Sequence, residues 1–168
     1  LGGERRRITI LMADLRGFSA LCERSTPEQV VSLLNLYLGT MTEIIFAHGG
    51  TIDEFIGDAI LALFGAPESR DDDARRAVTC ALEMQLAMES VNRRLREQEL
   101  PEVSMGIALN TGEVVVGNIG SEQRTKYGIV GTNVNLTGRI ESHTVGGQIF
   151  ASQATVAEAG EGVETGTR

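Results

Sequence analysis

Apolar positions recur along this chain at two different periods, and the places where the period changes mark its elements. Residues 7–14 carry Ile8, Ile10, Leu11 and Met12 and stop at the polar Asp14, which predicts a buried strand. Thr26, Pro27 and Gln29 then read as a helix start, with an N-cap, a first-turn proline and a side chain reaching back. Val30, Leu33, Leu34, Tyr37, Leu38, Met41, Ile44 and Ile45 follow at helical spacing until Gly49 and Gly50, where a left-handed terminus fits. Residues 51–55 and 59–64 predict two strands joined through Ile56, Gly57 and Asp58, with Asp58 at the hairpin tip. A long helix is predicted over 72–98, its acidic start and basic end both suited to the macrodipole. Strands at 103–110 and 113–119 are expected around Thr111 and Gly112, and another at 127–130. A helix over 132–143, a strand over 148–151 and a short helix over 152–159 complete the pattern.

This order predicts an α+β domain with a ferredoxin-like βαββαβ core, its mostly antiparallel sheet covered by helices. In such a sheet the end of the first strand and the hairpin after the second are neighbours, so Asp14 and Asp58 are expected side by side. With 168 residues the chain suits one domain, residues 1–168. The start at Leu1-Gly2-Gly3 and the Gly, Glu and Thr-rich end suggest a domain excised from something longer.

Composition narrows the function. A hydrophobic share of 42% with 23% charged residues describes a folded, soluble chain. The net charge of -8 and pI near 4.8 argue against nucleic-acid binding, which needs basic patches. Cys22 and Cys80 sit among apolar helical positions and read as free thiols in a reducing compartment. No apolar stretch is expected to reach bilayer-spanning length and no signal peptide is evident, so a cytoplasmic domain without membrane contact is expected.

Read singly, Asp14 and Asp58 are turn formers as readily as ligands. Gly17 permits a tight turn beside Asp14, with backbone N–H groups exposed to phosphate oxygens. Three segments lie in order: Asp14-Leu15-Arg16-Gly17-Phe18-Ser19, Phe55-Ile56-Gly57-Asp58-Ala59, and Gly131-Thr132-Asn133-Val134-Asn135-Leu136-Thr137-Gly138-Arg139. Together with the strand from Gly112 to Gly117, they resemble the signature segments of class III nucleotidyl cyclase catalytic domains, over roughly residues 7 to 155.

The resemblance implies conversion of a nucleoside triphosphate to a 3′,5′-cyclic monophosphate and pyrophosphate at a homodimer interface. Asp14 and Asp58, with the Leu15 carbonyl, would hold two divalent ions, Mg²⁺ or Mn²⁺. Gly17, Phe18 and Ser19 would cradle the terminal phosphates, with Arg124 a further candidate phosphate contact. Asn135 would orient the ribose and Arg139 would stabilise the pentavalent phosphorus; four residues apart, they share one helix face. For Arg139 taken alone, a surface ion pair with Glu141 is the competing reading.

In the family two positions read the base, and here they are Glu54 and Gly128. Glu at the first position resembles guanylyl cyclases: a carboxylate accepts from both guanine N1–H and the 2-amino group, whereas adenine N1 is itself an acceptor. Gly128 departs from both the adenylyl and the guanylyl pattern. The expected substrate is therefore GTP, with ATP the alternative. Glu54 is expected beside the metal aspartates of one chain, and Gly128, Asn135 and Arg139 on the partner. No lysine follows Lys126, although the family places one in a C-terminal strand pair that contacts the triphosphate. A silent regulatory domain and a polymerase-like palm are the remaining readings.

Overall fold

The computed structural model describes residues 3–166, so both ends of the expected 1–168 domain, Leu1-Gly2 and Thr167-Arg168, lie outside the described residues. Strand β1 (Gly3–Arg16) leads through helix α1 (Phe18–Arg24) into helix α2 (Pro27–Ala47). The hairpin β2 (Thr51–Ile56) and β3 (Ala59–Phe64) follows, then helix α3 (Asp73–Glu97). Strands β4 (Ser104–Gly120) and β5 (Thr125–Val130), helix α4 (Thr132–Ser142), strand β6 (Ile149–Ala151) and helix α5 (Gln153–Ala159) complete the chain. The sheet order is β2-β3-β1-β4-β5, with β6 parallel to β4 and the other pairs antiparallel. The first four strands take the order of the expected ferredoxin-like core.

The expected cap is present. Thr26 Oγ1 accepts from Gln29 N at 3.2 Å, and Gln29 Oε1 accepts from Thr26 N at 2.9 Å. One face of α2 buries Leu33, Tyr37, Met41 and Ile45 against Leu11, Ala13 and Leu15 of β1 and the inner residues of β3 and α3. Each such side chain contributes about 1.5–3 kcal/mol. The alternate residues Ile8 and Ile10 face the other way and form a smaller apolar layer with Leu61, Leu63, Val114, Val116 and Ile129. The sheet curls over that layer until its two edges meet: Lys126 of β5 lies 3.1 Å from Asp53 of β2.

Four expectations change. Residues 103–110 and 113–119 are not two strands around a turn but one 17-residue strand, β4, in which Thr111 pairs with Thr9 and Gly112 with Ile8. Thr111 is polar because its buried hydroxyl bonds Thr9 Oγ1 and Thr155 Oγ1, each at 2.8 Å. Gly112 is small because an added Cβ would lie 2.6 Å from Asn133 Cγ. β1 begins at Gly3, its charged first half pairing residues 113–117 of β4. The seven-residue α1 went unanticipated, since only Leu21 of it is buried. Finally, α2 is by length and composition a helix able to cross a bilayer, contrary to the expected absence of any such stretch; in this fold it covers the sheet. Both cysteines are free, Cys80 buried and Cys22 half-buried.

Candidate active site

β3 pairs with β1 through Ala13 and Ile60, so the two-residue turn before β3 lands beside the end of β1. Gly57 takes φ 62° there, and Asp58 is brought against the Asp14–Leu15 backbone. The Leu15 N–H donates to Asp58 Oδ2 at 2.8 Å. Burial raises the pKa of Asp14, opposed by the adjacent Arg16 guanidinium. Burial also raises that of Asp58; the Leu15 N–H works against it, and the charge of Asp14 adds to it. Beside them lies Tyr37, fully buried, its hydroxyl without a hydrogen-bond partner among the described residues. Burial, then Asp58, then Asp14 push its phenol upward.

Two half-buried carboxylates whose ionisation is opposed by burial, and at Asp58 also by the charge of Asp14, suit a hard cation, whose charge offsets both. No third His, Cys, Asp or Glu joins them in a metal-binding group among the described residues. That donor set fits an ion such as Mg²⁺ or Mn²⁺, which takes one or two carboxylates and completes its shell with water and phosphate.

Arg16 links this pair to α4. Its guanidinium contacts both Asp14 and the buried Glu141, and also reaches the Glu141 carbonyl at 3.4 Å. Gly106, opposite Asp14 on β4, leaves the necessary space, since a Cβ there would collide with Thr144 and lie 3.2 Å from Arg16 Nε. Glu141 thus belongs to Arg16, and the surface pair with Arg139 does not form. Asn135 and Arg139 are exposed on α4 and make no side-chain hydrogen bond or ion pair among the described residues. Within one chain, therefore, neither is joined to Asp14 or Asp58.

Gly17 has φ 72° and stands at the N-cap position of α1, so the expected turn of Gly17, Phe18 and Ser19 is the first turn of a helix. Its opening N–H groups lack intrahelical partners, as at any helix start. Arg124 lies in the β4–β5 turn, where its backbone N–H donates to Ser121 Oγ at 3.2 Å.

The base-reading positions fall otherwise than expected. Glu54 and Gly128 come together within one chain, not across two, because the sheet edges meet. Lys126 Nζ lies 3.5 Å from Glu54 Oε2, and a Cβ on Gly128 would lie 3.3 Å from Asp53 Oδ1. Asp53 sits at a bulge between Ile52 and Glu54, which turns its side chain inward to 4% exposure. Sequence reading gave no site role to Arg16, Glu141, Asp53 or Lys126. Their signals were faint: charged residues flanking motif positions, with Lys126 two residues before Gly128 on the same strand face.

Residues 3–165 match the family model described as the adenylate and guanylate cyclase catalytic domain. The chain belongs to the class III nucleotidyl cyclases. Its fold aligns with the crystal structure of the guanylyl cyclase Cya2 at TM-score 0.95 and 60% identity, covering 98% of this chain and 83% of that one. The adenylyl cyclase CyaB from P. aeruginosa aligns at TM-score 0.90 and 35% identity, over 94% and 82% of the two chains. Adenylate cyclase 1 of Rhizobium meliloti is 34% identical over 92% of this chain, but that is 24% of its own length. The chain spans about a quarter of the curated relatives it matches. The guanylyl cyclase domain of the RhoGC fusion protein from Blastocladiella emersonii, at 25% identity, has both a non-canonical dimeric structure, which aligns at TM-score 0.81 over 92% of this chain and 84% of that one, and a monomeric one, at TM-score 0.82 over 94% and 88%.

Proposed function

We propose that this cyclase domain is a homodimeric guanylyl cyclase that converts GTP to 3′,5′-cyclic GMP and pyrophosphate. The observation that carries the reading is Glu54, an exposed carboxylate four residues before Asp58 and 3.5 Å from Lys126 of the strand that carries Gly128. It accepts from N1–H and the 2-amino group of guanine; against adenine its oxygens would face a lone pair. The similarity to Cya2 supports GTP, whereas the adenylyl cyclases among the relatives keep ATP as the second reading.

Class III cyclases use divalent metal ions, and Asp14 and Asp58, with the Leu15 carbonyl, would hold them. Bound there, they would lower the pKa of the ribose 3′-hydroxyl and offset phosphate charge. The 3′-oxygen gives its proton to solvent water and bonds the α-phosphorus as the opposite bond, from that phosphorus to the bridging oxygen of the departing pyrophosphate, breaks. Arg139 stabilises the charge on the pentavalent phosphorus with a fixed guanidinium, and Asn135 orients the ribose. The Gly17-Phe18-Ser19 turn and Arg124 contact the phosphates. Helix α4, which carries Asn135 and Arg139, comes next in the chain after β5, which carries Gly128, so one protomer would read base and ribose while the carboxylates of its partner serve the phosphates.

Initial rates with GTP and ATP, each with Mg²⁺ or Mn²⁺, test the substrate. A kcat/KM for GTP at least about 10-fold above that for ATP is expected, with Glu54→Lys reducing the GTP value. Equal or faster turnover of ATP sinks the guanylyl reading and leaves adenylyl cyclase in its place.

A further inference from the structure

Asn135 and Arg139 have no side-chain partners of their own among the described residues, so their aim is set by helix α4. Little apolar burial holds that helix. Its buried residues are Thr137 and Glu141, both polar, and Val134 packs partly buried against the smaller apolar layer. Gly131 stands at the N-cap with no side chain to offer, so the helix starts without a side-chain cap. Arg16 secures the far end through Glu141. The first turn needs an anchor from elsewhere.

Asn133 supplies it. Its Nδ2 donates to the Glu113 carbonyl at 2.9 Å. Its own carbonyl and its Oδ1 both accept from Asn110 Nδ2, at 3.2 and 3.3 Å. Asn110 is 2% exposed and pairs with Ile10 within the sheet, so the donor is as fixed as the sheet itself. The Asn133 carbonyl also accepts from the buried Thr137 Oγ1 at 2.7 Å, which carries the anchor one turn along α4. Residues 110 and 112 project from the same face of β4. The missing side chain of Gly112 makes the notch that the amide fills: a Cβ there would stand 2.4 Å from Asn133 Nδ2 and 2.7 Å from its Oδ1.

We propose that Asn133, held by Asn110 in the Gly112 notch, is a positioning residue that fixes the orientation of α4 and so places Asn135 and Arg139 at the reacting phosphorus. The proposal rests on the catalytic roles given to those two residues above, and it is independent of which base is read. The Asn133 amide is engaged by β4, so it acts through the helix alone. A turn of α4 that shifts the Arg139 guanidinium by about 1 Å costs on the order of 100-fold in rate.

The test is a double-mutant cycle of Asn133→Ala and Gly112→Ala, with kcat and KM measured for whichever of GTP and ATP the wild type turns over faster. Asn133→Ala removes the amide. Gly112→Ala keeps every hydrogen-bonding group and displaces the amide from its notch. Each should lower kcat by about 10- to 100-fold with KM within about 2-fold of wild type, the pattern of a transition-state contact misplaced. The double variant should be no slower than Asn133→Ala, because the added methyl then has no amide to displace. A double variant slower by the full factor of Gly112→Ala overturns the proposal, since general damage to β4 adds to the loss of the amide. Wild-type kcat in Asn133→Ala overturns it as well, as does a raised KM with kcat unmoved. Arg139→Ala, assayed alongside, separates the two readings. Full activity there removes the catalytic role of α4 itself, whereas an inactive Arg139→Ala beside an unaffected Asn133→Ala removes the positioning role alone.

Discussion

Replacing Asp58 with Asn removes one of the two carboxylates crowded at the end of β1 while keeping an oxygen to accept the Leu15 N–H bond. In the metal-free fold, burial raises the pKa of both aspartates, and Asp14 raises that of Asp58 further. Between the unfolded value of 3.8 and the raised folded value, the folded chain binds more protons than the unfolded chain. Metal-free stability therefore rises as pH falls through the folded pKa and levels off below the unfolded one. Two like charges near a protein surface repel by on the order of 1 kcal/mol, about 2–4 °C in Tm for a chain of this size. Thermal unfolding in EDTA from about pH 8 to about pH 5 reads the effect. The Asn variant should melt higher than wild type at neutral pH, with a flatter pH dependence. Added Mn²⁺ should raise the wild-type Tm and leave that of the variant nearly unmoved. A variant that melts lower than wild type in EDTA would mean that the Asp58 charge stabilises the empty site, and the reasoning would fail.

Three further outcomes are expected. Glu141→Gln leaves the Arg16 guanidinium to Asp14 and removes its charged contact with α4, and with Arg16 a quarter exposed the cost should be about 1 kcal/mol in urea unfolding; a loss under about 0.3 kcal/mol would show that the pair does not hold α4. Asp14→Ala and Arg139→Ala should each be inactive alone, yet mixing them in equal amounts should restore about a quarter of wild-type activity, because half the dimers carry one intact site; no recovery despite subunit exchange would rule out a site shared between chains. Thr26→Ala removes the α2 cap and should lower stability by about 1 kcal/mol in urea unfolding, with cyclase KM unchanged.

What the sequence made legible was local. The α2 cap uses residues three apart, and the β2–β3 turn declares itself through Gly57 and Asp58. The carboxylate pair was readable because a hairpin and a strand end fix it. Distant partners were not. Thr111 and Gly112 look like a turn until Thr155 and Asn133 are known to lie against them. Arg16 finds Glu141 125 residues away, and Lys126 finds Asp53 at a separation of 73, so neither pairing leaves a local pattern. The split of the base-reading positions between chains was misjudged for a related reason: strand order places β2 and β5 at opposite edges, and only the curl of the sheet unites them. For α2, an apolar composition serves a sheet-covering helix and a bilayer helix equally, and only the packing distinguishes them.

In a dimer built as proposed, the Asp14 of a protomer works in one active site and its Arg139 in the other. The Arg16 guanidinium shared by Asp14 and Glu141 ties those two half-sites through a single charge. A divalent ion held at Asp14 would compete with that guanidinium for the carboxylate, whereas Glu141, two residues from Arg139 on the same helix, would keep its contact with it. A change at Arg16 would thus disturb the strand end that carries Asp14 and the helix that carries Arg139 together.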